Sequence, residues 1–304
     1  MRVSSNQYHI TVNASLQNSN SQLEKLMGQM ATGNRLTRPS DDPIAHVRIS
    51  RLQREEASIA QYKSNIGALS SRMTQSETVL SSINSDLLST RDLLVWALDG
   101  GNTGEDLSAM ATNLESLRDA LYSSSLTKDA EGVYLFSGTL SKTATVGLDA
   151  TAAAGARYTA QGNSEQQQVV VGNGLTQPAN VTLGDEMAAV LNALDLAIDA
   201  VKGGGTTPND PATRALLQGA MGGVDTAMDQ VSTKISKLGG AQNIIATLDT
   251  NWGNLSTANQ TATLDYSQLN YSTAAVQLKT LISAIEATQS AYGKVSQLSL
   301  FDAL

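Results

Sequence analysis

Residues 52–97 read LQREEASIAQYKSNIGALSSRMTQSETVLSSINSDLLSTRDLLVWA, and their spacing decides the fold. From Tyr62 the positions Tyr62, Ile66, Leu69, Met73, Ser76, Leu80, Ile83 and Leu87 step by alternating four and three residues. The series reaches back through Ile59 and Leu52 and forward through Thr90, Leu94 and Ala97. A heptad sustained over so many turns predicts a long helix that buries one seam against other helices. Glu55, Gln61, Lys63, Arg72, Glu77, Asp86 and Arg91 mostly fall off that seam, as a solvated face requires. The rest of the chain packs on this rod, extends it or decorates it.

Outward from the rod, 99–104 (Asp-Gly-Gly-Asn-Thr-Gly) is a turn cluster. Leu107, Met110, Leu114, Leu117 and Leu121 then repeat the three-four pattern and predict an antiparallel neighbour ending near Lys128. Met187, Val190, Leu191, Leu194, Ile198 and Val201 predict another helix, stopped by glycines 203–205. Asp210-Pro211 is a cap followed by a first-turn proline. After it, Leu217, Met221, Val224, Met228, Val231, Ile235 and Leu238 form a second seam, the natural partner of the first. The predicted rod core is therefore Ile66, Leu69, Met73, Leu80, Ile83 and Leu87 with Met221, Val224, Met228 and Val231. Gly239-Gly240 leaves room for a kink, although Ile245, Leu248, Trp252 and Leu255 carry the helical spacing onward.

Between residues 132 and 185 the period changes. Val133–Phe136, Arg157–Ala160 and Gln168–Val171 are short, β-prone runs bounded by Gly, Asn and Ser, and predict a small β-rich insert. Leu148–Ala156 is a low-complexity loop. The insert is too poor in apolar residues for a strong core of its own.

The two ends of the chain are alike. Residues 6–32 predict a helix with Ile10, Leu16, Leu23, Leu26 and Met30 apolar, stopped at Gly33-Asn34. Asp42 is placed to cap the following helix, with Pro43 at its first position, and the stretch before Pro39 resists helical geometry. Residues 250–265 turn very polar, and a final helix is predicted from Leu264, Tyr271, Ala274, Leu278, Leu281, Ile285, Thr288, Tyr292 and Val295. It leads to an apolar tail that includes Leu300, Phe301 and Leu304. Each end offers one thin apolar stripe, too little to hold its backbone in order alone. The expectation is that the ends pair with each other or with other subunits, and that the first helix is mobile in a free monomer.

Composition narrows the function classes. The 304 residues carry a net charge of −8, only 4% aromatics and no cysteine. An acidic chain with no Lys/Arg stripe argues against nucleic acid or an anionic membrane surface, and stability has to come from packing or assembly rather than disulfides. No run is long and apolar enough for a cleaved leader or a bilayer span, which fits a cytoplasmic protein or export that reads an uncleaved N-terminus. The two histidines, His9 and His46, lie on different elements without ligand spacing. Asp41-Asp42 and Glu55-Glu56 read as helix capping and a solvated face rather than acid–base pairs. The loop 100–104 lacks the Lys-Ser/Thr that holds phosphate, and the Ser-Ser-x-Met-Pro-x-Lys loop of fumarase-like lyases is missing. Trp96 and Trp252 read as core or interface anchors. No catalytic, cofactor-binding or metal-ligating residue is assigned, no cofactor is expected, and the chain reads as non-enzymatic.

Several motifs together resemble the flagellin superfamily: Met1-Arg2-Val3-Ser4, Thr32-Gly33-Asn34-Arg35-Leu36 and above all Pro39-Ser40-Asp41-Asp42-Pro43. The Pro-Ser-Asp-Asp-Pro form is similar to the superfamily's hook–filament junction branch, where flagellin proper reads closer to Ser-Ala-x-Asp-Asp-Ala-Ala-Gly. Tyr134–Thr139, Tyr158 with Gly162-Asn163, Val169–Gly172, Gly240–Asn243 and 264–304 extend the likeness over most of the chain. The resemblance implies a mainly α fold with a small β-rich insert. Its terminal helices pair as an inner domain (1–40 plus 257–304), helical rods form a middle domain (41–131 plus 186–256), and the β insert (132–185) faces outward. It implies an extracellular flagellar protein exported by the type III apparatus with a chaperone. That protein would form a ring with itself, between the other junction protein and flagellin, without nucleic acid or membrane insertion. Ile10, Leu16, Leu23, Leu26, Leu278, Leu281, Ile285, Leu300, Phe301 and Leu304 become inner interface residues. Arg35, Pro39, Asp41, Asp42 and Pro43 become the spoke between inner and middle domains. The alternatives are a minor flagellin and, in another class, a secreted adhesin-like coiled-coil protein.

Overall fold

The computed structural model describes the backbone of residues 2–203 and 205–301, and the side chains of 7–203 and 205–295. Helices α1 (Arg2–Thr32), α2 (Pro43–Ala97) and α3 (Gly104–Ser125) come first. Strands β1 (Val146–Leu148), β2 (Tyr158–Ala160), β3 (Gln168–Gly172) and β4 (Leu175–Pro178) follow. Helices α4 (Gly184–Val201), α5 (Pro211–Ser267) and α6 (Tyr271–Phe301) close the described chain. The fold is mainly α with a small β insert, and it falls into two compact units. Residues 59–253 form a rod unit, and 1–58 with 254–304 form a terminal unit.

In the rod unit every seam position of α2 from Ile66 to Ala97 is buried, including Ser76 and Thr90. Thr90 is tolerated there because its hydroxyl donates to the Asp86 carbonyl at 2.7 Å. Leu80, Ile83, Leu87 and Leu94 meet Leu107, Leu114 and Leu121 of α3, Leu191 and Leu194 of α4, and Leu217, Val224 and Val231 of α5 in one core. Three polar pairs show that α2 and α5 run antiparallel: Arg91 with Asp225 at 2.7 Å, Glu77 with Gln242 at 2.9 Å and Lys63 with Asp249 at 3.7 Å. The helix starts follow local chemistry. Thr103 and Asp106 form a reciprocal capping box on α3, and Asp210 accepts the Thr213 backbone N–H at 2.9 Å with Pro211 in the first turn of α5. Helix α5 runs through Gly239-Gly240 without interruption.

The β insert is two antiparallel hairpins, β1–β2 and β3–β4, the second with an irregularity between Val170 and Gly172. Val133–Phe136, expected as a strand, forms only an isolated bridge between Tyr134 and Lys128. The reason is that Leu135 and Phe136 are both fully buried, so the segment plugs the helical core with consecutive side chains instead of alternating them across a sheet. Strands β1 and β4 were not expected. Gly147 sits inside β1 where the Gln161 side chain leaves no space for a Cβ, and Pro178 ends β4, and both residues weaken a strand pattern in the sequence. Val146, Tyr158 and Val171 join the helical core, which explains how so small an insert is ordered. Trp252 Nε1 donates to the Val171 carbonyl at 2.9 Å, and Asn65 to the Val170 carbonyl at 2.8 Å. Asn192 bonds both ways to the Tyr158 backbone, at 2.9 and 2.7 Å.

In the terminal unit α1 pairs antiparallel with α6: the Tyr271 hydroxyl donates to the Met30 carbonyl at 3.0 Å, and His9 meets the Tyr292 hydroxyl at 3.0 Å. The polar stretch 250–265 is the end of α5, so Leu264, expected in the last helix, belongs to α5. Its hydroxyls satisfy themselves within the helix, as with Thr261 on the Thr257 carbonyl at 2.9 Å and Thr263 on the Asn259 carbonyl at 2.8 Å. The true break is set by Asn270, whose side chain caps α6 through the Thr273 N–H at 3.1 Å.

Candidate assembly interface

The α1–α6 pair leaves its apolar stripe half covered. Leu26 and Ile285 are buried and Leu16, Leu23, Leu278 and Leu281 are half-buried, whereas Ile10, expected with them, lies off that seam and is 57% exposed. The Leu300 and Phe301 side chains, and Leu304 altogether, lie outside the described residues. A groove of about 460 Å³ opens beside the pair, with Leu26, Val276, Leu281 and Ala284 on its walls and Gln29 and Thr280 among its polar groups. Tyr8 and Met27 on α1 and Val276, Ile282 and Val295 on α6 are also exposed. Helices that bury so little against each other retain apolar surface that a further partner can cover.

The Arg35–Pro43 block is a cross-linked clamp. The Arg35 N–H donates to the Ser267 carbonyl at 2.7 Å, and its guanidinium reaches the Tyr266 carbonyl at 3.1 Å and Asp42 at 3.3 Å. Asn34 bridges Gln268, and the Leu269 N–H donates to the Gly33 carbonyl at 2.9 Å. Gly33 takes φ +71°, the left-handed region that closes α1, with the Tyr271 hydroxyl where a Cβ would crowd it. Arg48 donates to the Tyr266 hydroxyl at 2.9 Å. Asp41 accepts from Lys25 at 2.7 Å, from the Arg38 N–H at 3.0 Å and from Thr37 at 3.1 Å. The Lys25 ammonium foremost, then the Arg38 N–H, hold the Asp41 carboxyl well below the usual carboxylate range. Asp42 caps α2 through the Ala45 N–H at 3.0 Å, which with Arg35 lowers its pKa too. Pro39 and Pro43 are exposed, and Pro43 is the first residue of α2.

The rod residues fall in the shared core, with one shift of emphasis. Ile66, Leu69, Met73, Leu80, Ile83, Leu87, Val224 and Val231 are buried, whereas Met221 and Met228 pack against the core only partly buried. The fully buried seam of α5 runs instead through Ala220 and Ala227, small residues that sequence spacing ranked below methionine. Sequence reasoning also passed over Asp195, 1% exposed in its side chain, held by Arg118 at 3.0 Å, Arg157 at 3.1 Å and the Gly155 N–H at 3.1 Å. The signal was there: one acid inside the apolar run Leu194-Asp195-Leu196-Ala197-Ile198 has to be paired if the helix is buried. The triad ties α3 and the β1–β2 hairpin to α4.

Among the described residues no group of three or more His, Cys, Asp or Glu is placed to hold a metal ion, and no helix is long and apolar enough to cross a membrane.

Comparison with known proteins identifies the family. The bacterial flagellin N-terminal helical region matches residues 3–141. Flagellar hook-associated protein 3 of Salmonella typhimurium is 31% identical over 138 residues, an alignment covering 45% of this chain and 44% of that protein, so the match spans less than half the length of this relative. A solved structure assigned to a flagellar hook-associated protein of Vibrio parahaemolyticus is 31% identical, with a TM-score of 0.67 over 75% of this chain and 100% of that one. The flagellar junction protein FlgL of Legionella pneumophila shares the fold at 15% identity, with a TM-score of 0.58 over 72% of this chain and 100% of that chain. The chain therefore belongs to the flagellin superfamily, in the hook-associated protein 3 branch, a family of structural, non-enzymatic proteins of the flagellum.

Proposed function

We propose that the chain is an extracellular adaptor at the hook–filament junction, assembled as a ring of identical subunits between the other junction protein and flagellin. In this reading residues 1–40 with 257–304 form the inner domain, 41–131 with 186–256 the middle domain and 132–185 the outward insert. The chain reaches its position through the flagellar type III apparatus with a chaperone. The observation that carries the proposal is the unfinished α1–α6 pair, with Leu16, Leu23, Leu278 and Leu281 only half-buried, in a chain of this family. Coupled folding and assembly supplies the burial that such ends lack alone. The Arg35–Pro43 clamp is the spoke that holds the terminal helices in register while the rod carries load.

Immunogold labelling of isolated hook–filament preparations tests this. The expected result is a single zone of label between hook and filament. Label along the whole filament would make the chain a minor flagellin, and label on the cell surface independent of flagella would overturn the flagellar reading.

A further inference from the structure

Asn173-Gly174 closes the β3–β4 hairpin of the rod unit. Asparagine is thermolabile where the backbone nitrogen after it is free to turn back on the side-chain amide, and a small following residue leaves that approach open. Asn18, Asn20, Asn84 and Asn163 precede serine, and Asn173 alone precedes glycine. The first three lie within α1 and α2, where the next N–H is committed to the helical ladder. Asn163 is pinned by Thr139: its Oδ1 accepts the backbone N–H at 2.9 Å and its Nδ2 donates to the hydroxyl at 2.7 Å. Asn173 has none of these restraints. It is exposed, its carboxamide makes no hydrogen bond among the described residues, and a side chain at Gly174 would meet nothing within 4 Å. The Asp99-Gly100 pair has the same small follower but is held. Asp99 accepts the Gly101 N–H at 3.1 Å, and Asn209 packs on Gly100 and donates to its carbonyl at 3.1 Å.

We propose that Asn173 is a site of spontaneous deamidation and isomerisation. The Gly174 nitrogen gives up its proton to solvent and attacks the Asn173 side-chain carbonyl carbon. The new C–N bond closes a succinimide, the Cγ–Nδ2 bond breaks, and Nδ2 takes up a proton and leaves as ammonia. Water then opens the ring at either carbonyl and leaves aspartate or isoaspartate at position 173. No oxidant or reductant enters. Both products add a negative charge at neutral pH, and isoaspartate also puts one more carbon into the backbone.

The change falls on a turn that the rod supports. Gly172 pairs with Leu175, and a Cβ at Gly172 would meet the Trp252 ring at 3.0 Å, so the indole packs directly on that glycine. Trp252 Nε1 also donates to the Val171 carbonyl at 2.9 Å. A longer backbone at 173 displaces the Gly172–Leu175 pair and with it the Trp252 contact, which loosens the hairpin. In the extracellular flagellum the chain is beyond cytoplasmic repair, so the product accumulates with age.

Trp252 becomes the sole indole reporter once the exposed Trp96 is replaced in W96F. The full-length W96F chain is held folded in mildly alkaline buffer and mapped at intervals by mass spectrometry, with isoaspartyl methyltransferase labelling to separate the two products. Asn173 is expected to react about tenfold faster than Asn163 or any other asparagine, and than Asp99 isomerises. Trp252 emission is expected to shift to longer wavelength on the same time course and to hold steady in N173Q, whose longer side chain closes a ring slowly. Flagella from old cultures are expected to carry a larger modified fraction than those from young ones. Asn173 reacting no faster than Asn163, or intact in the folded chain while the urea-unfolded chain reacts, overturns the site. Isoaspartate formed with Trp252 emission unmoved overturns the loosening of the hairpin, and equal fractions in old and young flagella overturn the accumulation.

Discussion

The rod unit and the terminal unit use helices of the same kind and finish their cores differently. In the rod, Leu80, Ile83, Leu87, Leu94, Leu107, Leu114 and Leu121 are completely shut from water, and even the acid in the core is paired. In the terminal unit the equivalent stripe is half open, and much of the cohesion runs through polar links: Lys25 with Asp41, Arg35 with Asp42 and Tyr266, Arg48 with Tyr266. Dry burial stabilises by roughly 25 cal/mol per Å² of apolar surface, whereas exposed ion pairs contribute about 0–1 kcal/mol each. The rod thus has a closed core, although Leu88, Val95 and Trp96 of α2 stay exposed outside it. The terminal unit is a half-interface, cross-linked at its clamp and left open along α1 and α6.

The sharpest way to break this contrast is at the core itself. Leu87→Ala is expected to destabilise the free chain by about 2–5 kcal/mol in urea unfolding, while Leu23→Ala in α1 costs about 1 kcal/mol or less and acts mainly on incorporation into flagella. Equal losses would erase the distinction. Next comes the buried triad: Asp195→Ala leaves Arg118 with Asp119 and Arg157 with the Ala152 carbonyl but removes the charged hydrogen bonds that tie them to α4, and is expected to cost about 1.5–3 kcal/mol, again in the rod transition. A smaller effect is expected at the clamp. Gly33→Ala forces a side chain into the left-handed region against Tyr271 and should cost about 1 kcal/mol, seen as faster amide exchange at 33–42 with the rod transition unmoved.

The smallest effect is a titration. Because Asp41 and Asp42 have folded pKa values below the ordinary 3.8, the stability they give the clamp is complete at neutral pH. It begins to decline as pH falls below 3.8 and is lost at their folded values. Carboxyl NMR should show Asp41 ionised well below 3.8, and Lys25→Met should move its midpoint back upward, since the Lys25 contact is the largest cause of the shift.

Much of this was legible in sequence wherever periodicity and capping agreed. The α2 seam from Ile66 to Ala97 and the starts at Asp42-Pro43 and Asp210-Pro211 were read from spacing and cap chemistry alone. What was hidden depended on tertiary partners. The consecutive buried pair Leu135-Phe136 has the composition of a strand, and only the neighbouring helices make it a plug. Ala220 and Ala227 outrank Met221 and Met228 in burial because close packing on α5 favours small side chains, which a hydrophobic scale ranks lower. Leu264 was read into the final helix because the polar 250–265 stretch, whose hydroxyls are satisfied inside α5, does not show on paper that α5 continues through it. The clamp was visible as the Asp-Asp-Pro block, but its other half, Tyr266 to Tyr271, carried no motif.

Amide hydrogen exchange on the free, full-length chain followed by the same chain in isolated flagella tests the central claim most directly. The account predicts strong protection across 66–97 and 213–245 in both states, with α1 and α6 exchanging rapidly in the free chain and slowing on assembly. Helices α1 and α6 protected as strongly as the rod in the free chain, with no change in flagella, would contradict it.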